Sequence, residues 1–140
     1  MLREMRIDDI ESVMKIWFSS TITAHPFISV EYWEQNYDTV KNIYLPNAKT
    51  SVFEEAGIIK GFISIIDESF IGALFVDNKF QGYGIGSALI EDALNNYKHL
   101  SLAVYKDNLK SVKFYKQRGF KICCEQVDED TGKLEIIMQK

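Results

Sequence analysis

Three glycines alternate within FVDNKFQGYGIGSALI, residues 75–90, between an apolar run and a helix-like pattern. Glycine lets the backbone turn sharply and approach a ligand closely, because it carries no side chain. The first amides of the following helix lack intrahelical acceptors and lie at the positive end of the helix dipole. The amides of residues 82–87 are therefore predicted to bind a pyrophosphate without a basic side chain.

The spacing of these glycines disfavours two common nucleotide-binding loops. Gly82, Gly84 and Gly86 read G-x-G-x-G in mid-chain, whereas the dinucleotide fingerprint is G-x-G-x-x-G in the first strand–helix turn. A phosphate-binding P-loop needs lysine after its last glycine, and Ser87 follows Gly86 here. A nucleotide-binding module is thus disfavoured, while a glycine loop that only permits tight packing stays open at this point.

Composition indicates one ordinary globular domain. The chain has 140 residues, 46% hydrophobic and 26% charged, with a net charge of −4. An acidic balance disfavours nucleic acid as a partner and is compatible with a cationic substrate. No apolar run approaches the roughly 20 residues needed to cross a bilayer, and MLREMRIDDIESV lacks the apolar stretch of a signal peptide. We expect a cytoplasmic protein without membrane contact.

Cysteine and histidine positions give no metal-binding pattern. Cys123 and Cys124 are adjacent, and His25 and His99 lie far apart. We expect no metal, and we expect both cysteines to be reduced residues in or near the core.

The periodicity of apolar residues predicts a mixed α/β (α+β) fold. Ile10, Val13, Met14 and Trp17 form the stripe of an amphipathic first helix, and Asp8 with Glu11 has capping-box-like spacing. A second helix is predicted over residues 29–45. The whole order is β-α-α-β-β-β-α-β-α-β-β, with a hairpin at Gly57.

The predicted helix after the glycine loop joins two strands, which implies one parallel pair with a right-handed crossover. The other neighbouring strands follow one another closely, which favours antiparallel pairing. The prediction is a three-layer protein with a mixed, mostly antiparallel sheet.

Two segments resemble one family. QGYGIG, residues 81–86, is similar to the Q/R-x-x-G-x-G/A motif of the GNAT superfamily of acetyl-CoA-dependent N-acetyltransferases, and NLKSVKFYKQRGF is similar to its N-x-x-[AS]-x-x-[FL]-Y-x-x-x-GF segment. Their order and spacing agree with the family, and AHPFI…YW near the N-terminus resembles small bacterial members. The resemblance implies the acyl-CoA N-acyltransferase (GNAT) fold with a splayed parallel strand pair, as a single N-acetyltransferase domain over residues 1–140.

The resemblance also implies acetyl-CoA as co-substrate, lying where the two parallel strands separate. The pantetheine would pair with the backbone of residues 74–76, and an N–H near Phe75 would polarise the thioester carbonyl. Asn108 would bind the pantetheine, and the glycine loop the pyrophosphate. The implied cofactor-binding residues are Leu74, Phe75, Val76, Gln81, Gly82, Tyr83, Gly84, Ile85, Gly86, Ser87, Asn108, Ser111 and Tyr115.

The family reaction is direct attack of a neutral amine on the thioester, and Tyr115 would be the catalytic residue that faces the departing sulfur. A tyrosine pKa is about 10 and a thiol pKa about 8.5, so complete proton transfer from the phenol to a thiolate is uphill. A short hydrogen bond to the thiolate can therefore matter as much as transfer. Without the resemblance, Tyr115 reads as an aromatic core residue on a helix face.

The general base is unassigned, because Ala103 occupies the position where the family often has a glutamate. His25, Glu54, Glu68 or a water chain are the alternatives. The acceptor pocket is expected between residues 21–33 and the last hairpin, with His25, Phe27 and Trp33 as substrate-contacting residues. For Phe27 and Trp33, packing in the core is the competing interpretation. For His25 it is a histidine whose hydrogen bonds are satisfied by the backbone next to Pro26.

The sequence therefore predicts an acyltransferase of the EC 2.3.1 class. It would move acetyl from acetyl-CoA to a primary amine: a protein lysine, a protein N-terminus or a small amine. The alternative is a non-catalytic acyl-CoA-binding or sensing domain, which the absent glutamate favours and the presence of Asn108 and Tyr115 disfavours. A monomer or homodimer is expected.

Overall fold

A single seven-stranded sheet runs through the protein, with helices on both of its faces. The computed structural model describes residues 1–140. The strands are β1 (Leu2–Glu4), β2 (Lys49–Glu55), β3 (Ile58–Ile66), β4 (Phe70–Val76), β5 (Ser101–Tyr105), β6 (Lys121–Val127) and β7 (Leu134–Gln139). The helices are α1 (Ile10–Ala24), α2 (Val30–Thr39), α3 (Ile85–Asn96) and α4 (Leu109–Gln117).

The strand order across the sheet is β1-β2-β3-β4-β5-β7-β6. Only β4 and β5 are parallel, and every other neighbouring pair is antiparallel. The single parallel pair exists because α3 carries the chain back across the sheet between these strands, as a parallel connection requires. The predicted mixed, mostly antiparallel three-layer fold is confirmed.

The two faces of the sheet bury separate clusters of apolar side chains. Leu89 and Ile90 of α3 and Val112 of α4 pack with inward residues of β3, β4, β5 and β7 on one face. Val13, Met14 and Trp17 of α1 and Trp33 of α2 pack over β2 and β3 on the other face. These clusters fix α3 and α4 against the strands whose ends form the cleft described below.

The parallel pair is short, and this shapes the functional face of the molecule. Strands β4 and β5 are in register only at Phe70↔Ser101 and Ile71↔Leu102. The β3–β4 register shifts at the next residue, Gly72, where an added Cβ would lie 2.7 Å from Ile66 Cδ1. Beyond this bulge β4 and β5 diverge, and a gap opens between residues 73–76 and the end of β5.

The predicted start of α1 is wrong in detail. Helix α1 begins at Ile10, after a 3₁₀ turn over Ile7–Asp9. The carboxylate of Asp9, and not that of Asp8, accepts the N–H of Arg6 at 2.7 Å. Asp9 also accepts from the Arg3 guanidinium, and this hydrogen bond holds the Asp9 pKa below its usual range. The ion pair with Arg3 therefore determines that Asp9, rather than Asp8, accepts the backbone N–H at the helix start.

The predicted second helix is too long. Helix α2 ends at Thr39, and Val40–Tyr44 forms a π turn that closes with a 2.8 Å bond from Leu45 N–H to Val40 O. The apolar pattern continues through the π turn, and for that reason the sequence predicts one continuous helix over residues 29–45.

The expected burial of the two cysteines is also wrong. Cys123 and Cys124 are both exposed and unpaired. They lie on β6, the edge strand of the sheet, whose seven residues are all exposed. Edge position rather than strand propensity sets their exposure, because no helix covers this end of the sheet. None of the helices is long and apolar enough to cross a membrane.

The fold makes a direct prediction for Leu89, which is completely buried between α3 and the sheet. We expect Leu89→Ala to lower the free energy of unfolding by about 3 kcal/mol, the typical result of removing three buried carbons and leaving a cavity. Urea denaturation measures this loss. Leu109→Ala is the matched control, since Leu109 is 75% exposed; an equal loss in both variants would contradict the assigned core.

Candidate functional site

A cleft of about 700 Å³ occupies the gap between β4 and β5. Its floor is the exposed edge of β4, and its walls come from the end of α1, the glycine loop and the beginning of α4. The lining residues include Ser20, Leu74, Phe75, Val76, Gln81, Gly82, Gly84, Ile85, Gly86, Ser87, Asp107, Asn108, Lys110, Ser111, Phe114, Tyr115 and Arg118.

The glycine loop forms the left-handed turn into α3. Gly82 and Gly84 have φ values of +87° and +83°, which non-glycine residues rarely adopt. Gly84 is the N-cap of α3 and no side chain caps the helix start, so the first helical amides have no side-chain acceptor and face the cleft wall. Gly86 lies inside the first turn and has room for a side chain, since an added Cβ would meet its nearest atoms at 3.5–3.6 Å. This end of the cleft can therefore accept an anion through backbone amides.

The β4 edge presents backbone groups to the cleft. The N–H of Asp77 donates to Lys60 O on β3, so the alternation of an antiparallel ladder directs Leu74 and Val76 towards β5. Because β5 has already diverged, the N–H groups of Leu74 and Val76 face the cleft. The oxygen of Val76 accepts hydrogen bonds from Ser20 Oγ and Gln81 Nε2, each at 3.1 Å. The expected polarising amide near Phe75 is thus that of Leu74 or Val76, since Phe75 faces β3.

Asn108 and Tyr115 lie at the α4 side of the cleft. Asn108 is the N-cap of α4, and its Oδ1 accepts the N–H of Ser111 at 3.3 Å. Two turns along α4 from Asn108, Tyr115 is 8% exposed and reaches the cleft. Burial raises the pKa of the Tyr115 hydroxyl, so this group stays protonated at neutral pH and can donate a hydrogen bond to an anion.

Arg118 and Lys110 are cleft residues that the sequence analysis did not identify. The Arg118 guanidinium donates to Ser87 Oγ, stacks 3.8 Å from the centre of the Phe114 ring, and leaves its buried Nε without a partner. Lys110 Nζ donates to Gln81 Oε1 at 3.1 Å. A cation held beside a helix N-terminus is unfavourable by itself, because both carry positive charge. Arg118, Lys110 and the N-terminus of α3 are therefore suited together to an anionic ligand. Helical spacing could have indicated only the contact of Arg118 with Phe114, four residues earlier, because Ser87 lies 31 residues away.

Four predicted site residues do not line the cleft. Tyr83 is 79% exposed and is not among the lining residues. His25, Phe27 and Trp33 lie behind the cleft wall: His25 and Trp33 are buried, and the His25 ring packs against the rings of Phe27, Trp33 and Tyr105. Of the alternatives open for these aromatic residues, the structure favours packing with one another over forming an open pocket.

The predicted alternatives for the general base lie outside the cleft. Glu54 accepts hydrogen bonds from Arg3 on the β1–β2 side, Glu68 is in the exposed turn before β4, and Ala103 is exposed on β5. Asp107, next to Asn108, is the single carboxylate among the lining residues.

The far wall of the site joins the α1–α2 loop to the last hairpin. The Tyr105 hydroxyl donates to Asp128, in the turn between β6 and β7, and the Tyr105 ring packs edge-on against Phe27. Burial first, and the Asp128 carboxylate second, raise the pKa of Tyr105. The α1–α2 loop and the last hairpin therefore meet at an acidic and aromatic patch.

A family model described as "Acetyltransferase (GNAT) domain" matches residues 19–140. The chain is 38% identical over 130 residues to the peptidyl-lysine N-acetyltransferase YiaC of Escherichia coli K12, covering 92% of this chain and 89% of that protein. It is 33% identical over 133 residues to the peptidyl-lysine N-acetyltransferase YjaB of the same organism, covering 94% and 89%.

Solved structures agree with these matches. The solution structure of apo YjaB from Escherichia coli has a TM-score of 0.86 at 30% identity, over 99% of this chain and 95% of that chain. The PaiA N-acetyltransferase of Thermoplasma acidophilum, in complex with coenzyme A, has a TM-score of 0.83 at 20% identity, over 100% and 97%. The second likeness shows the shared fold.

The loop geometry predicts that Gly86→Asp prevents the binding of coenzyme A. A carboxylate in the first turn of α3 stabilises the helix but repels a pyrophosphate at the same amides. We therefore expect an unchanged or higher melting temperature without ligand and at least a 100-fold weaker affinity by titration calorimetry, roughly the effect of two lost charged hydrogen bonds. Gly86→Ala, which adds the Cβ alone, is the control and should bind within about threefold of the wild type; tight binding by the aspartate variant would place the pyrophosphate elsewhere.

Proposed function

We propose that this chain, which belongs to the GNAT family of acetyltransferases, transfers acetyl from acetyl-CoA to the ε-amino group of lysine in proteins or peptides. Acetyl transfer from acetyl-CoA to an amine follows from the family and from the relatives. The choice of lysine is supported by the two Escherichia coli relatives, both described as peptidyl-lysine N-acetyltransferases. The observation that carries the proposal is the cleft between β4 and β5, which joins an anion-binding helix start to a free strand edge.

Acetyl-CoA would bind in the cleft in a single orientation. Its pyrophosphate would bind the first amides of α3, with Arg118 and Lys110 adding positive charge. Its pantetheine would run along β4 and pair with the N–H groups of Leu74 and Val76, as an added strand does. Asn108 would donate its side-chain amide to the pantetheine, and the thioester would come to rest beside Tyr115.

The chemical step would be attack of the neutral lysine nitrogen on the thioester carbon. The carbonyl oxygen gains negative charge, which a β4 amide would stabilise. The C–S bond then breaks, and the sulfur leaves as a thiolate that accepts a hydrogen bond from the Tyr115 hydroxyl. Because burial raises the pKa of Tyr115, we assign it hydrogen-bond donation and leave final protonation of the thiolate to solvent. The amine proton would leave through water at the open end of the cleft.

The acidic, aromatic patch between the α1–α2 loop and the last hairpin would form the acceptor end of the site, and its charge supports a cationic acceptor. Asp128 and Asp130 lie close enough to Tyr32 to raise the pKa of its hydroxyl, after burial as the first cause. Negative charge at this end attracts a protonated lysine and its basic neighbours. His25, Phe27 and Trp33 would shape this wall from behind rather than contact the acceptor.

The remaining parts of the proposal concern the state of the protein in the cell. We propose one domain over residues 1–140, a monomer or homodimer, without nucleic-acid or membrane partners. We also propose a cytoplasmic location. It is supported by two exposed, unpaired cysteines, which persist in a reducing compartment.

An acceptor assay tests the choice of amine. We expect thiol release from acetyl-CoA with a peptide that has a blocked N-terminus and one lysine. We expect at least tenfold slower release with a lysine-free peptide that has a free N-terminus or with a small diamine. Mass spectrometry locates the acetyl group. Equal or faster reaction of the α-amine would contradict the lysine assignment, and acetyl-CoA binding without thiol release on any amine would favour a sensing domain.

Tyr115→Phe tests the catalytic role of the hydroxyl. The variant keeps the aromatic packing of α4 against Phe120 and removes one donor to the thiolate. We expect kcat to fall about 10²-fold, the size typical of one lost transition-state hydrogen bond, while the dissociation constant of acetyl-CoA changes less than about threefold. Unchanged kcat would remove Tyr115 from the chemistry. Phe120→Leu, at a buried ring that packs on Tyr115 outside the cleft, measures the effect of altered packing alone.

A further inference from the structure

His25 is buried at a junction between the cofactor cleft and the acceptor wall. It is the C-cap of α1, and its side chain reaches towards the corner where β5 turns into α4. Three aromatic rings enclose the imidazole, with centroids 5.7 Å away for Phe27, 5.2 Å for Trp33 and 5.3 Å for Tyr105. The side chain does not line the cleft, so any effect on the cofactor passes through a neighbour.

The hydrogen bonds of His25 define its tautomer. Nδ1 lies 2.7 Å from the backbone oxygen of Thr21 and 3.1 Å from Thr21 Oγ1. A carbonyl oxygen only accepts, so Nδ1 must carry the proton and donate to it. In the neutral ring Nε2 is then an acceptor. The side-chain nitrogen of Asn108 lies 3.5 Å from Nε2 and can donate to it.

Asn108 therefore has a partner at each end of its carboxamide. Its Oδ1 accepts the N–H of Ser111 in the first turn of α4, and its Nδ2 faces His25. A reversed carboxamide would place Nδ2 against the Ser111 N–H and Oδ1 against the Nε2 lone pair, two repulsive contacts. The arrangement leaves the second hydrogen of Nδ2 free to point into the cleft that Asn108 lines.

We propose that His25 is a positioning residue that fixes the Asn108 carboxamide with its free N–H directed at the pantetheine of acetyl-CoA. The proposal rests on the proposed function, because it uses the place given there to Asn108. It assigns His25 neither of the roles that the sequence suggested, since the side chain faces Asn108 and not an acceptor amine. The neutral Nδ1–H form is the active one.

The proposal predicts how protonation acts. With a proton on Nε2 the ring has no acceptor for Asn108, and the carboxamide loses its second anchor. The groups that touch the ring from the surrounding elements are Thr21, Phe27, Trp33, Asn108 and Tyr105. Among them only Tyr105 titrates, and it stays neutral because burial and Asp128 raise its pKa. Burial lowers the pKa of His25, and the Thr21 carbonyl opposes this, so the neutral form persists at pH 7 and is lost in more acidic solution.

Two variants separate positioning from packing. His25→Phe keeps an aromatic ring among its neighbours and removes both hydrogen bonds. His25→Gln loses the ring but can place Oε1 near the Nε2 position as an acceptor. We expect the dissociation constant of acetyl-CoA to rise about fivefold in the phenylalanine variant, the effect of one neutral hydrogen bond, and to stay within about twofold of wild type in the glutamine variant. Equal losses in both variants, or none in the phenylalanine variant, overturn the proposal.

The pH dependence of acetyl-CoA binding and the tautomer of His25 are two independent tests of the proposal. As the solution becomes more acidic than the ordinary histidine pKa of about 6.5, acetyl-CoA binding should weaken more in wild type than in His25→Gln, whose side chain does not titrate; burial lowers the pKa of His25, so the difference grows as the pH falls further. The protein contains two histidines, so a long-range ¹H–¹⁵N spectrum with His99→Gln as the assignment control identifies the His25 signals. An Nδ1–H pattern is expected; an Nε2–H pattern overturns the proposal without touching the proposed function.

A double-mutant cycle with Asn108→Ala distinguishes failure of the positioning role of His25 from failure of the cofactor role of Asn108. If His25 acts through Asn108, the phenylalanine substitution should add less than about twofold in the Asn108→Ala background. A full fivefold effect there rejects positioning while leaving the cofactor role of Asn108 intact. If Asn108→Ala alone leaves the affinity unchanged, the cofactor role of Asn108 and the positioning role of His25 both fail.

Discussion

Strands β4 and β5 separate after two paired positions, and the cleft and its lining depend on this separation. Parallel strands that continued together would saturate the N–H groups of Leu74 and Val76 within the sheet. Their divergence at the Gly72 bulge leaves these groups directed at a cleft. A strand edge inside a molecule is stable only if something pairs with it, because unpaired backbone groups cost free energy when water is excluded. An extended ligand with amide groups, such as pantetheine, meets that requirement.

The α3 end of the cleft is positively charged, whereas the protein as a whole is negatively charged. The chain carries −4 overall, yet the phosphate end combines the amides of α3 with Arg118 and Lys110. The proposed acceptor end would carry Asp128 and Asp130 near Tyr32. An anionic cofactor and a cationic acceptor are thus attracted to different ends of one site. Their separation follows from topology, because α3 packs on β3 and β4 whereas β7 of the last hairpin pairs with β5.

The two ends of the site are connected by a short series of contacts. Asp128 accepts from Tyr105, the Tyr105 ring packs on His25, and His25 faces Asn108. None of these residues is close to another in sequence except Tyr105 and Asn108. The connection gives the rings of the α1–α2 loop a role: the buried His25 and the half-buried Phe27 support groups at the cleft.

Local sequence determined the parts of the protein that depend on neighbouring residues. The glycine pattern identified the turn into α3, because positive φ at Gly82 and Gly84 requires glycine. Apolar periodicity gave the order of the strands and helices, and the motif around Asn108 and Tyr115 indicated the family.

The tertiary structure decided what depends on distant partners. Arg3 determined which acid starts α1, and the edge position of β6 exposed both cysteines. Arg118 reached Ser87, 31 residues away, and His25 turned towards Asn108, 83 residues away. Contacts between residues so far apart leave no periodic pattern in the sequence, because only folding brings the partners together.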